Sequence, residues 1–473
     1  MIDFLLKHAD TNPVSYHMPG HKGMEIFRKY GYGDFLRRFV DCDVTEIPGA
    51  DNLFQAEGII KDVMERYANL YDVKKSYLQI NGTSGGIIAS IMASVRPGRK
   101  LIMARNCHKS VFNALVLSGI SPVYAQPEFL KEYGISGAVS VEEIERCLDE
   151  NPDADAVILP SPNYYGICSD IEKIAKAVHS RDKVLIVDQA HGAHLKFFQK
   201  FGFGKGMPKS AEECGADIVI GSIHKTLASL TQSAILNLNS DRVDRYVLED
   251  KLQMIESTSP SYILMSFLEI NADILEKHGE QAIGEWREGL DWFYDELHKI
   301  PGLKIMKSDS MDPTKVNIDM GAYGIDGAAL ETMLMEYGIF SELYAGNVLM
   351  LMTGIGNTKE HFSRTIDALW DIASRNELYE SASGESKYTA PKQGRLFAIP
   401  VHKEMIPLSE AAGRICASSI IPYPPGIPYV CPGEEITGEM IAYVKNLRDE
   451  GKKVIGINDI GYVTVGKNEK ERL

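Results

Sequence analysis

Val187-Asp-Gln-Ala-His191 and Ser222-Ile-His-Lys-Thr-Leu227 are the two stretches that decide how this chain is read. Asp188 and Lys225 stand 37 positions apart, and each follows a short apolar run, Val184-Leu-Ile-Val187 before the aspartate and Ile218-Val-Ile220 before the lysine. Taken singly, the aspartate is a strand-end or helix-capping carboxylate and the lysine a surface cation. Taken together they are harder to dismiss. Lys225 sits between a run that reads as a buried strand and Thr226-Leu-Ala228, a poor place for an unpaired ammonium.

Working outward, further apolar runs occur at Tyr77-Leu-Gln-Ile80, Leu101-Ile-Met-Ala104, Ala156-Val-Ile-Leu159 and Ser233-Ala-Ile-Leu-Asn-Leu238. Helical patterns fall between several of them, at 59–71, 87–94, 111–118, 141–148 and 171–179. Short β-rich runs alternating with amphipathic helices predict an α/β fold with a mostly parallel sheet covered on both faces. Ligands of such sheets bind outside the carboxyl ends of the strands. Asn81, Asp188 and Ser222 all fall at that edge.

The turn Asn81-Gly-Thr-Ser-Gly-Gly86 lies between a strand and a helix, where free backbone N–H groups receive an anion and Gly82, Thr83 and Ser84 add close approach and hydroxyls. The Gly-x-Gly-x-x-Gly spacing and the P-loop lysine of nucleotide sites are missing. His108, in Asn106-Cys-His-Lys-Ser110, follows another strand at the same edge and reads as a core histidine or as an imidazole stacked on a ring. An anion cradle, a carboxylate for a ring nitrogen and a lysine able to form a Schiff base are what pyridoxal phosphate (PLP) requires. His191 and His194 stand three apart with no third metal ligand at useful spacing, so no metal is expected.

The bulk properties set limits. At 473 residues the chain exceeds a single core. The expected division is an arm at 1–50, a large domain at 51–300, a small domain at 301–376, a linker at 377–394 and a C-terminal domain at 395–473. A formal net charge of −15 argues against nucleic acid. Seven scattered cysteines with no Cys-x-x-Cys pair suit reduced thiols. The start Met1-Ile-Asp-Phe-Leu-Leu-Lys7 is too short and charged for a signal peptide, and no run approaches the ~20 apolar residues of a membrane span. A soluble, cytoplasmic protein is expected.

At these motifs the chain resembles the Orn/Lys/Arg decarboxylase family, PLP enzymes of the aspartate-aminotransferase fold type. The resemblance extends to His17-Met-Pro-Gly-His-Lys-Gly23, Thr45-Glu-Ile-Pro-Gly-Ala-Asp51, Ala412-Gly-Arg-Ile-Cys-Ala417, Tyr423-Pro-Pro-Gly-Ile-Pro428 and Pro432-Gly-Glu434. It implies Lys225 as the Schiff-base lysine, Asp188 as partner of the pyridine nitrogen and His108 stacked on the ring. Thr83, Ser84, Ser222 and His224 would hold the phosphate, and His191 would contact the ring hydroxyl. It implies α-decarboxylation of a basic amino acid in polyamine biosynthesis, with arginine before lysine and ornithine last. Glu46, Asp51 and Glu434 are candidates for the substrate's distal cation. The arm and PLP motifs begin almost at Met1, without the large N-terminal domain of long family members, which favours a homodimer or homotetramer. The rival readings are an aminotransferase or lyase of the same fold, and a non-catalytic regulatory relative.

Overall fold

The computed structural model describes residues 1–308, 310–379, 394–423, 428–449 and 451–467. Most of the expected linker, and the interior of Tyr423-Pro-Pro-Gly-Ile-Pro428, lie outside the described residues.

Seven strands form the central sheet: β1 (Lys75–Gln79), β2 (Lys100–Ala104), β3 (Ser121–Ala125), β4 (Ala154–Pro160), β5 (Val184–Asp188), β6 (Ile218–Gly221) and β7 (Ala234–Leu238). Their order is β1-β7-β6-β5-β4-β2-β3. All pairings are parallel except those of β7, which runs antiparallel to both β1 and β6. The near-continuous apolar runs follow from this placement, since strands covered on both faces need apolar side chains pointing both ways. Tyr77 and Leu236 join one hydrophobic cluster, with Val111, Phe112 and Ile174. Their strand neighbours Leu78 and Ile235 join the other, with Phe197, Phe198 and Trp286.

Helix α1 (Ile59–Tyr71) leads into β1, α2 (Gly82–Ser94) leaves it, and α3 (Lys109–Ser118) leaves β2. The start of α2 differs from the sequence expectation of 87–94. Gly82 enters with φ +65°, so Thr83 and Ser84 occupy the first helical turn. Apolar periodicity cannot register a turn built from Gly, Thr and Ser. The long helix α4 (Tyr262–Leu297) packs Leu268 and Trp286 into the second cluster and Leu290, Phe293 and Leu297 into a third.

That third cluster belongs to a four-stranded antiparallel sheet of β8 (Lys304–Ile305), β9 (Lys315–Asp319), β10 (Leu343–Ala345) and β11 (Val348–Met352), in the order β8-β9-β11-β10. The N-terminal segment joins it, because Val14–Ser15 pairs in parallel with Ile339–Phe340, and Val14 and Tyr16 are fully buried there. The first fifty residues, aperiodic in sequence, also hold three short helices: Ile2–Asp10, Glu25–Lys29 and Gly33–Arg38. The first of these buries no residue, so it leaves no packing pattern to read. Two small antiparallel pairs, Lys403–Pro407 with Tyr462–Gly466 and Ile421–Tyr423 with Lys453–Ile455, surround the helix Gly438–Asp449 in the last module.

Candidate active site

The carboxyl ends of β2, β5 and β6 and the start of α2 converge on one cavity. Asp188 closes β5, level with Ile220 of the adjacent β6. Lys225 follows in the short helix Ile223–Thr226 that leaves β6. Thr83, His108, Tyr164, Asp188, His191 and Lys225 all line this cavity.

Lys225 Nζ lies 3.0 Å from His191 Nε2. Burial pulls the lysine pKa down, against the attraction of Glu342 and Asp188, while Lys315 adds to the lowering. Burial likewise pushes Asp188 up, although Lys225 and the N–H of Ala190, 3.1 Å away, favour its charged form. His191 is held neutral chiefly by burial and then by the charge of Lys225. His108 caps α3, and its Nδ1 lies 2.8 Å from Ser110 Oγ. Burial, with Lys225 and Lys109 acting in the same sense, takes its pKa down to about 3.

The remaining anion candidates surround this core. Ser222 Oγ donates to Thr83 Oγ1 at 3.3 Å. Gly82 N–H is bonded to the Gln232 carbonyl at 2.8 Å, while Asn81, just before α2, makes no side-chain cap. His224 donates from Nδ1 to the Ser233 carbonyl at 2.8 Å, and burial lowers its pKa to about 4. Its ring nitrogen is thereby turned to the backbone of the β6–β7 connection.

The arm packs against the segment that carries Lys225. Gly20 N–H bonds the His224 carbonyl at 2.6 Å, and a Cβ at Gly20 would fall 2.4 Å from the carbonyl carbon of Thr226. Lys22 Nζ donates to the carbonyls of His17 and Met352, at 2.6 and 3.3 Å. Burial brings its pKa down to about 7, with Glu342 opposing. Glu342, one residue before β10, accepts from Met18 N–H at 3.0 Å.

The three candidate carboxylates for a distal cation lie elsewhere. Glu46 is exposed and accepts from Asn52 Nδ2 at 2.6 Å. Asp51 takes backbone N–H groups from Asn52, Glu57, Gly58, Ile60 and Lys61 at the entry to α1. Glu434 is fully buried against Arg105 at 3.0 Å and also accepts from the N–H groups of Gly394 and Cys431. None of the three lines the Lys225 cavity. Sequence reasoning missed Tyr164, Glu342, Lys22 and the buried Lys315 with its partner Asp312. Of these, Lys22 alone carried a signal, lying inside the quoted His17–Gly23 motif.

The residues present suit PLP. Asp188, 5% exposed, needs a cationic N–H to offset its desolvation. His191 Nδ1 is buried with no hydrogen-bond partner. An uncapped helix entry beside Thr83 and Ser222 offers donors to a phosphate.

Comparison with known proteins agrees with this geometry. Residues 1–297 match the Orn/Lys/Arg decarboxylase major domain, and residues 375–463 match the family's C-terminal domain. An arginine decarboxylase of Bacillus subtilis is 34% identical over 96% of this chain and 94% of its own length. An arginine decarboxylase of Halalkalibacterium halodurans is 33% identical over 98% of this chain and 96% of its own. Among solved structures, the Francisella novicida lysine decarboxylase superposes with a TM-score of 0.75 at 20% identity, over 95% of this chain and 78% of that one. The chain therefore belongs to the Orn/Lys/Arg decarboxylase family, enzymes that use pyridoxal phosphate.

Proposed function

We propose that this enzyme decarboxylates arginine to agmatine, with lysine as the next substrate to test. The observation that carries the reading is the near full-length match, at 34% identity, to an arginine decarboxylase. It is joined by a cavity where Lys225, Asp188 and His108 meet.

When bound, PLP supplies a covalent attachment point for the substrate amine and an electron sink for the bond to carbon dioxide. The chain supplies the rest. Lys225, with its pKa lowered by burial, is poised to act as a neutral nucleophile. Asp188 would hold a proton on the pyridine nitrogen. His108, neutral and fixed by Ser110, would lie against the ring face. Thr83, Ser84, Ser222 and His224 would share the phosphate. Lys225 would take the proton that the substrate's ammonium gives up as it attaches, and would return it to the carbon that has lost carbon dioxide, with His191 at 3.0 Å to share it.

Since Asp51 and Glu434 are occupied by other partners, Glu342 is the carboxylate we assign to the distal guanidinium. Its charge attracts both Lys225 and Lys22. A homodimer or homotetramer working in the cytoplasm completes the proposal. Release of labelled carbon dioxide from arginine, lysine and ornithine tests it. Release from none of the three would overturn it.

A further inference from the structure

Behind the Lys225 cavity lies a group of buried polar side chains that the mechanism does not use. Lys315 opens β9, Asp312 and Thr314 lie just before it, and His194 lies in the connection after β5. All four are fully buried. Asp312 Oδ2 accepts from Lys315 Nζ at 2.9 Å and lies 3.1 Å from His194 Nε2. Its Oδ1 accepts from the N–H and hydroxyl of Thr314, at 2.9 and 2.8 Å. Every acceptor site of the carboxylate is therefore used. Burial alone would raise its pKa, but Lys315 and His194 hold it well below the carboxylate range.

Two bonds lead from this group to the reacting residues. Lys315 Nζ donates to the main-chain carbonyl of His191 at 2.8 Å. His194 Nδ1 lies 3.1 Å from Thr226 Oγ1, on the residue after Lys225. Burial keeps His194 neutral. With Nε2–H given to the ionised Asp312, Nδ1 accepts the Thr226 hydroxyl proton. The same cluster thus grips both sides of the 3.0 Å contact between His191 and Lys225.

We propose that Lys315, Asp312 and His194 are positioning residues for the reaction, fixing His191 against Lys225 by anchoring the His191 carbonyl and the Thr226 hydroxyl from the small-domain side. A packing role alone needs neither the ionised aspartate nor a lysine aimed at a carbonyl, and buried charges are costly unless fully paired. The arrangement has the form of an orienting shell behind reacting groups. The charged or titratable groups facing Lys225 are Asp188, His191, His108, Glu342 and Lys315. Lys315 Nζ is the end of the buried pair that reaches the His191 carbonyl and acts on Lys225, so the cationic end faces the site.

The inference rests on Lys225 as the cofactor lysine, and the test separates the two. PLP-loaded enzyme is compared with His194→Leu, which removes the contacts of that ring with Thr226, Thr314 and Asp312. His194→Gln retains a donor for Asp312 and an acceptor for Thr226. A double variant, Asp312→Asn with Lys315→Met, leaves no buried charge unpaired. All should keep the visible band of cofactor-linked Lys225. His194→Leu and the double variant should lose tenfold or more in kcat, with KM within twofold, while His194→Gln stays within threefold of native. In the double variant the pH midpoint of the band should rise by about one unit, because a cation facing the site is gone. Native kcat with a native midpoint in the double variant, or native kcat in His194→Leu, overturns the inference. If the double variant does not fold, the His194 pair decides alone. A missing band in the unsubstituted enzyme would refute the cofactor lysine instead.

Discussion

Glu434 of the C-terminal module is ion-paired with Arg105, which directly follows β2 and stands three residues before His108. Arg105 also donates to the carbonyls of Pro428 and Tyr429, at 2.6 and 2.9 Å. The pair ties the last module to the loop carrying His108. Removing one partner leaves the other buried and uncompensated, at a cost of about 3–5 kcal/mol. Glu434→Leu should therefore lower the urea midpoint more than the double variant with Arg105→Met. Equal losses in single and double variants would show that the pair is not coupled.

Lys225→Ala should abolish both the visible band of the loaded enzyme and carbon dioxide release, while near-native circular dichroism is retained. Persistence of the band would place the covalent link elsewhere.

Glu342→Gln should raise KM for arginine by tenfold or more, because a charge-assisted contact to the guanidinium becomes a neutral one. The melting temperature should shift by little, since Glu342 is only half-buried and its Met18 N–H bond survives in the amide. Unchanged KM with full activity would remove Glu342 from the substrate site.

His224 carries a pH signature. Its folded pKa, about 4, lies below the ordinary 6.5, so between those values the unfolded chain binds the additional proton. Stability from this residue is present above pH 6.5 and falls as pH drops toward 4. His224→Asn keeps a donor for the Ser233 carbonyl and should flatten the unfolding free energy by up to about 1.4 kcal/mol per pH unit in that window. Urea unfolding at several pH values reads the slope, and an unchanged slope would contradict the assignment.

Glu256 behaves in the opposite sense. It is buried beside Gly85 with no well-formed hydrogen bond, and burial pushes its pKa up to about 7 against the weaker pull of the Asn81 and Ile80 N–H groups. The folded chain then holds the additional proton between pH 4.5 and 7, so stability is lost as pH rises through that range. Glu256→Gln should raise the melting temperature at pH 8 and have little effect at pH 4.5. A lower melting temperature at pH 8 would mean that the carboxylate has a partner in the working enzyme.

What the sequence made legible follows from locality. Apolar runs and the turns after them are local, so the sheet and the clustering of Asp188, His108 and Lys225 at one edge could be read before the fold was seen. The polar contacts of the site are not local. Asp312 and Lys315 meet His191 and His194 across 124 and 118 positions or so, and a buried lysine has the same letter as a solvated one. The acidic residues at 46, 51 and 434 were judged by the segments they lie in. Asp51 then proved to satisfy a helix entry, and Glu434 to neutralise a buried arginine, because unpaired backbone donors and desolvated cations claim the nearest carboxylate. Glu342 carried no motif at all.

The arm has a consequence for biosynthesis. Tyr16, four residues before the tight approach at Gly20, donates its hydroxyl proton to the carbonyl of His361, 345 positions later in the chain. This segment therefore cannot reach its final place until the chain has been made as far as His361. Docking of the arm against the segment carrying Lys225 is a late event of high contact order, so a nascent chain arrested before β11 should leave that face of the segment uncovered.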